Sequence, residues 1–195
     1  MLFFLAILYS QEKYDISDIT NLNGLWYQDT NNEVISGHIY KRLDLIPLYL
    51  GDIDKGRKTG IWTSWYNNGR KSKEELWKDG FKQDGFLNLY SRNGVKVYEK
   101  KINQKTGDGS TIHWYENGQK LREESWDNHN LIKEISWYKT GQKEKELSWN
   151  KDNYQTYSQK FWYFNNQKMK ERVIDDGNLI LENCWNDDGN KIPCE

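Results

Sequence analysis

The chain repeats itself about every 24 residues, and that period constrains its fold more than any other feature. Trp65-Tyr66-Asn67-Asn68-Gly69-Arg70-Lys71 returns as Trp114-Tyr115-Glu116-Asn117-Gly118-Gln119-Lys120 and as Trp137-Tyr138-Lys139-Thr140-Gly141-Gln142-Lys143. It returns again as Trp162-Tyr163-Phe164-Asn165-Asn166-Gln167-Lys168 and ends as Trp185-Asn186-Asp187-Asp188-Gly189-Asn190-Lys191. One copy, Leu89-Tyr90-Ser91-Arg92-Asn93-Gly94-Val95-Lys96, reads as carrying an extra residue before its glycine. The turn positions are then Gly69, Gly94, Gly118, Gly141, Asn166 and Gly189, spaced by 25, 24, 23, 25 and 23 residues. Asn is the next-best residue to Gly at positive φ, so the fifth turn keeps its chemistry. A period of this length marks one supersecondary unit repeated in tandem.

Each unit has room for two strands and two turns. Asn-Gly or Asp-Gly between β-formers is the strongest short-range hairpin signal. A second turn recurs at Asp54-Lys55-Gly56, Lys78-Asp79-Gly80 and Asp175-Asp176-Gly177. Polar runs such as Asp127-Asn128-His129-Asn130 replace it in the third to fifth copies, which predicts less regular connections there. No stretch carries a helical apolar period long enough to compete. The predicted fold is all-β, an elongated single-layer antiparallel meander of about six hairpins. Residues 12–36 are expected to cap an array spanning 37–195. Gly118, in a tight turn, is expected to tolerate a β-branched residue less well than Gly107.

Aligned copies give columns. Trp65, Leu89, Trp114, Trp137, Trp162 and Trp185 share one position, and Tyr66, Tyr90, Tyr115, Tyr138 and Tyr163 follow on the next, facing the other way. Trp77, Ile102, Trp126, Trp149 and Ile174 close the return strands. Lys71, Lys96, Lys120, Lys143 and Lys168 are each followed three residues later by Glu74, Glu99, Glu123, Glu146 or Glu171. With aromatics at 15% and charged residues at 29%, rings rather than aliphatic side chains must supply the buried area. The Trp and Glu columns read as a structural ladder. The Tyr column is the better candidate for contact with a partner.

Residues 1–10, MLFFLAILYS, are apolar and too short to span a bilayer core. With Ser10 near a cleavage point, residues 1–11 read as the apolar region of a signal peptide whose basic start is missing. Export to the periplasm or envelope is therefore expected ahead of a cytoplasmic location. Cys184 and Cys194 are the only cysteines. A three-residue loop at Asp188-Gly189-Asn190 would place them face to face, and a two-residue Asp188-Gly189 loop would place them on opposite faces. A disulfide between them is therefore allowed but not required, and an oxidising compartment would favour it.

The run from Gly60 to Gly80, Gly-x-Trp-x-x-Trp-Tyr-x-Asn-Gly-x-Lys-x-x-Glu-x-x-Trp-x-Asp-Gly, resembles the MORN repeat variant. It is similar to the repeats of bacterial YwqK-type antitoxins of toxin–antitoxin systems, as is the opening Asn23-Gly24-Leu25-Trp26-Tyr27 leading to Ser36-Gly37. The resemblance covers roughly residues 22 to 195 and implies a repeat of β-hairpins that binds another protein. The chain departs from the pattern at Leu45-Ile46-Pro47-Leu48, where the first Asn-Gly turn is missing.

No catalytic residue is expected. The Glu column meets the carboxylate spacing of glycoside hydrolysis, but every copy has an equivalent basic neighbourhood, so no pair divides into acid and base. There is no Gly-x-Ser-x-Gly, no phosphate loop opening a helix, and no metal-ligand spacing among two Cys and three scattered His. No cofactor or metal is implied. A net charge of −1 argues against nucleic acid and gives anionic lipid little to attract. The expectation is a non-catalytic protein-binding or scaffolding module, with an exported, envelope-associated binder of lipid or glycan as the alternative.

Overall fold

The computed structural model describes residues 12–194; the leader expected at 1–11 lies outside the described residues. The chain is all-β apart from one 3-10 turn, Ile16–Asp18, and divides into two compact units, one ending at Gln83 and one beginning at Asp84. The first unit therefore contains the expected cap together with the first hairpins, rather than the cap alone.

In the first unit, β1 (Lys13–Asp15) pairs in parallel with β4 (Gly37–Leu43). From β4 the sheet runs antiparallel through β5 (Ile46–Asp54), β6 (Arg57–Trp65) and β7 (Lys71–Lys78). β2 (Ile19–Leu22) and β3 (Leu25–Gln28) form a separate hairpin. Its apolar residues pack on the sheet, giving a core of Ile19, Ile35, Ile39, Ile53 and Trp62 bordered by Tyr14, Trp26 and Trp77. The Lys58 amino group lies 4.0 Å from the Trp62 ring centroid, 4.7 Å from that of Trp77 and 5.7 Å from that of Trp26. An ammonium among three indoles is held by the negative faces of the rings. Burial pushes its pKa below the ordinary lysine value.

The second unit continues β8 (Phe81–Tyr90) into β9 (Lys96–Ile102), β10 (Gly109–Trp114), β11 (Lys120–Asp127), β12 (Asn130–Trp137) and β13 (Lys143–Trp149). It ends with β14 (Tyr157–Trp162), β15 (Lys168–Asp175), β16 (Asn178–Trp185) and β17 (Lys191–Ile192). Each strand from β8 onward pairs antiparallel with the next, the meander that the repeat predicts. Apart from Cys184, Ile174 is its only buried hydrophobic side chain among the described residues. A single layer cannot enclose side chains on all sides, so its rings remain half-buried.

The tight turns share one geometry. In the third copy, Gly118 N–H donates to the Tyr115 carbonyl (2.9 Å) and Tyr115 N–H to the Gln119 carbonyl (2.9 Å), with Gly118 at φ +84°. The strand after the turn then takes one extra residue. Trp114 lies opposite Lys120 but His113 lies opposite Arg122, leaving Leu121 as a bulge. Ser72, Val97, Glu144 and Met169 occupy the same place in other copies. In a regular strand, residues three apart face opposite sides; one bulge between them brings Lys and Glu onto the same face as the Trp.

This register corrects several sequence expectations. Tyr90, not Leu89, stands opposite Lys96, so Tyr90 holds the Trp position and Ser91 the Tyr position, and the second copy has no extra residue. Asn128 and His129 both have positive φ (48° and 64°), as do Asp176 and Gly177 (47° and 76°) in a regular second turn. The departures are instead the connections Asn103 to Asp108 and Asn150 to Thr156. The last tight turn is neither alternative considered for the cysteines, because its loop is Asp187-Asp188-Gly189, with Asn186 N–H donating to Asn190 O. Cys184 therefore faces Ile192, and Cys194 lies two residues further along. The two cysteines form a disulfide with Cα atoms 5.3 Å apart. Finally, a Cβ on Gly118 would meet nothing within 4 Å, whereas one on Gly107 would lie 2.3 Å from the His129 backbone nitrogen. Both glycines have positive φ, so Gly107 is the less tolerant of the two.

Candidate functional site

On one face of the second unit, Trp, Lys and Glu form a continuous ladder. Lys96 pairs with Glu99 (2.8 Å), Lys120 with Glu123 (2.6 Å), Lys143 with Glu146 (2.7 Å) and Lys168 with Glu171 (3.2 Å). In the first unit, Lys71 makes the same pair with Glu74 (2.5 Å). The four ammonium groups of the second unit also lie over the ring of the following copy: Lys96 over Trp114 (5.9 Å), Lys120 over Trp137 (5.4 Å), Lys143 over Trp162 (4.8 Å) and Lys168 over Trp185 (5.1 Å). Burial pushes the Glu99 and Glu146 carboxyls up, but hydrogen bonds and charge outweigh it and hold both below the ordinary value. Those come from Lys96 and Lys101 at Glu99, and from Lys143 and Lys133 at Glu146.

The Tyr column also links copies. Tyr115 Oη–H donates to the Trp137 carbonyl (2.9 Å), Tyr138 to that of Trp162 (3.0 Å) and Tyr163 to that of Trp185 (3.0 Å). Asn117 and Asn165 add amide bonds to Lys139 O and Asp187 O (both 2.7 Å). Tyr66 lies at the corresponding turn of the first unit.

The opposite face carries a concave site of about 450 Å³. It forms where the repeat is interrupted. The connection from Asn103 to Asp108 is closed by Gly107 N–H donating to Asn103 O (2.7 Å) and Asn103 N–H to Asp108 O (2.8 Å). Asp108 accepts the Asn128 N–H (2.9 Å), which fixes the loop against the Asn128-His129 turn. The floor comes from β9, β10 and β11: Tyr98, Lys100 and Ile102, then Thr111, then Glu124 and Trp126. Glu124 is only 9% exposed, and its carboxylate accepts the Thr111 hydroxyl (2.5 Å) and pairs with the Arg122 guanidinium. The indole N–H of Trp126 is buried with no hydrogen-bond partner. Tyr98 packs edge-on against His113 at 4.8 Å. Burial and the Glu124 charge push the Tyr98 phenol up, so it remains a proton donor throughout the physiological range.

A third feature is the outer edge of β16. β17 pairs with it only at Cys184 and Trp185. Leu179, Ile180 and Leu181 lie beyond that pairing and are 54%, 63% and 43% exposed.

One group of metal-ligating residue types appears among the described residues, Glu182 with Cys184 and Cys194, and the disulfide uses both of its sulfurs. No helix among the described residues is long and apolar enough to cross a membrane. The sequence columns pointed to the ladder, while the concave site was missed. Of its residues only Ile102 and Trp126 belong to a column, that of the return strands, and its one further sequence signal is the long connection between the second and third copies. No protein-family model matches the chain, and no curated protein matches it.

Proposed function

We propose that this protein is a non-catalytic binding and scaffolding module that engages another protein by accepting an extended segment along the outer edge of β16. The observation that carries the reading is the run Leu179-Ile180-Leu181, three exposed apolar residues on a strand whose outer backbone is paired at only two positions. Such an edge offers main-chain hydrogen bonds for affinity and alternate side chains for selectivity. The ladder carboxylates support the non-catalytic part. Lysines hold the Glu99 and Glu146 carboxyls below their ordinary value, and a general acid needs the reverse. Neutralisation of a partner protein, the role implied by the resemblance to YwqK-type antitoxins, is the specific form of this proposal. It is tested by affinity capture from the source cell with the native chain and with Ile180→Lys. A partner held by the native chain and lost from a folded Ile180→Lys variant supports the reading; equal retention by both refutes the edge.

The alternative, an exported envelope protein that binds lipid or glycan, draws support from the Cys184–Cys194 disulfide, since such bonds persist in oxidising compartments. Fractionation and intact mass of the protein expressed from its own upstream sequence test it. Loss of the first ten or so residues with an extracytoplasmic product supports export, and a full-length cytoplasmic product overturns it.

A further inference from the structure

We infer that the concave site between the Asn103–Asp108 connection and the Asn128-His129 turn binds a short, uncharged oligosaccharide. This deepens the envelope reading by naming a ligand class, yet it requires only that the site and a saccharide meet.

The first argument is shape. In the repeat, two-residue turns leave a face without rims, and the six-residue connection after β9 raises one. At about 450 Å³ the site lies within the ordinary range for small-ligand pockets, roughly 300–1,000 Å³. It is held in place before any ligand arrives, because Asp108 bonds the neighbouring turn. Exchanging the Gln104 amide oxygen and nitrogen, which the facing donors favour, would let that oxygen accept the Asp84 and Gly85 N–H groups (2.6 and 3.1 Å). His129 occupies the rim at φ +64°, where Gly56, Gly80 and Gly177 stand in the equivalent turns. A side chain kept at a position that favours glycine carries a strain of about 1–2 kcal/mol, and such strain collects at functional sites.

The second argument is charge. Asp84, Lys100 and Glu124 are the charged residues of the lining, and the Glu124 carboxylate is already neutralised by Arg122. Among the described residues Lys100 takes part in no ion pair, unlike its neighbour Lys101, which pairs with Glu99 (2.9 Å) on the other face. The lining has neither the concentrated positive charge that holds a phosphate nor the continuous apolar wall that holds an acyl chain.

The third argument is hydrogen-bond type. Donors (the Trp126 indole N–H, Lys100, the Tyr98 phenol) stand beside acceptors (Glu124, Thr111) and the rings of Trp126 and Tyr98. A sugar ring presents the complement. Each hydroxyl both donates and accepts, and its C–H face packs on an aromatic ring. Water would satisfy the polar groups but leave the rings wet. An apolar ligand would leave the buried Trp126 indole N–H without a partner, at about 1–3 kcal/mol.

The test uses the full chain with maltotriose, cellotriose, chitotriose and inorganic phosphate as probes, read by saturation-transfer NMR and titration calorimetry. The expected result is saturable binding of at least one triose with Kd of about 1 mM or tighter. Lys100→Met and Tyr98→Phe should each weaken it by roughly tenfold. Lys101→Met, on the ladder face, should leave it unchanged, and urea midpoints should show all three variants folded. Three results overturn the proposal: no saturable binding of any triose, equal binding by native chain and Lys100→Met, or phosphate binding that Lys100→Met removes. Failure here leaves the export question standing, and a cytoplasmic location leaves this site standing.

Discussion

Tyr138→Phe removes one oxygen atom and leaves the ring in place. That oxygen donates across 24 residues of sequence to the Trp162 carbonyl at 3.0 Å, tying one copy to the next. A hydrogen bond of this kind contributes a net 0.5–1.5 kcal/mol or so. With a urea slope of about 1–3 kcal/mol/M, the midpoint should fall by roughly 0.2–1.5 M. Tyr115→Phe and Tyr163→Phe remove equivalent bonds of 2.9 and 3.0 Å. The three sites share no partner and lie about two strand spacings apart, roughly 9.6 Å, so the triple variant should lose approximately the sum. The reciprocal change is Ser91→Tyr. Ser91 occupies the Tyr position of its copy, and a hydroxyl introduced there should reach the Trp114 carbonyl and raise the midpoint. Equilibrium urea unfolding by far-ultraviolet circular dichroism, with tryptophan fluorescence as a second probe, reads both directions. Tyr→Phe variants with unchanged midpoints, together with a neutral Ser91→Tyr, would refute the inter-copy tether and return the Tyr column to the role of a partner surface.

Other expectations follow from the ladder, the loops and the first unit. Glu146→Gln should cost roughly 1–2 kcal/mol at pH 7, because Lys143 and Lys133 lose their shared acceptor. The folded pKa of Glu146 is lowered, so its contribution is present above the unfolded value and is lost as pH falls through the folded one. The gap between native chain and variant should therefore close in acid, and a constant gap would mean that packing, not charge, is at stake. Gly118→Ala should cost about 1–2 kcal/mol for its left-handed backbone alone, and Gly107→Ala about twice that, because its new methyl would press on His129. Equal thermal shifts would refute the loop geometry. In alkali the Tyr14 phenol, pushed up to about 12 by burial and by Glu12, should stabilise the first unit up to about pH 10 and withdraw that support as pH rises toward 12. Tyr14→Phe should flatten that decline in a pH series of melting temperatures.

The hairpin period, the turn residues and the Trp, Lys and Glu columns were legible because each is a residue type at a fixed spacing. The bulge was not. Ser72, Val97, Leu121, Glu144 and Met169 share no chemistry, so nothing in them marks the residue that reverses the alternation of faces. The same blindness displaced Tyr90 by one position, since Leu89-Tyr90 resembles Trp-Tyr in composition while hydrogen-bond register decides which one faces Lys96. Asn128-His129 read as irregular for a related reason. His takes positive φ less readily than the Gly of the regular turns, and only the fold shows that it is held there. The concave site depends on Gly85, Gly107 and His129, which are far apart in sequence and join through a loop outside the period.

The tethers of the second unit all point forward. The hydroxyl of Tyr115 needs the carbonyl of Trp137, that of Tyr138 needs Trp162, and Lys120 and Lys143 wait for the same two rings. On the ribosome, a newly emerged hairpin has donors whose acceptors are not yet translated. At roughly 5–20 residues per second, each waits about one to five seconds for its successor. The growing chain thus completes its copies one step behind synthesis. A pause late in translation leaves a single unfinished hairpin exposed, rather than an unfolded array.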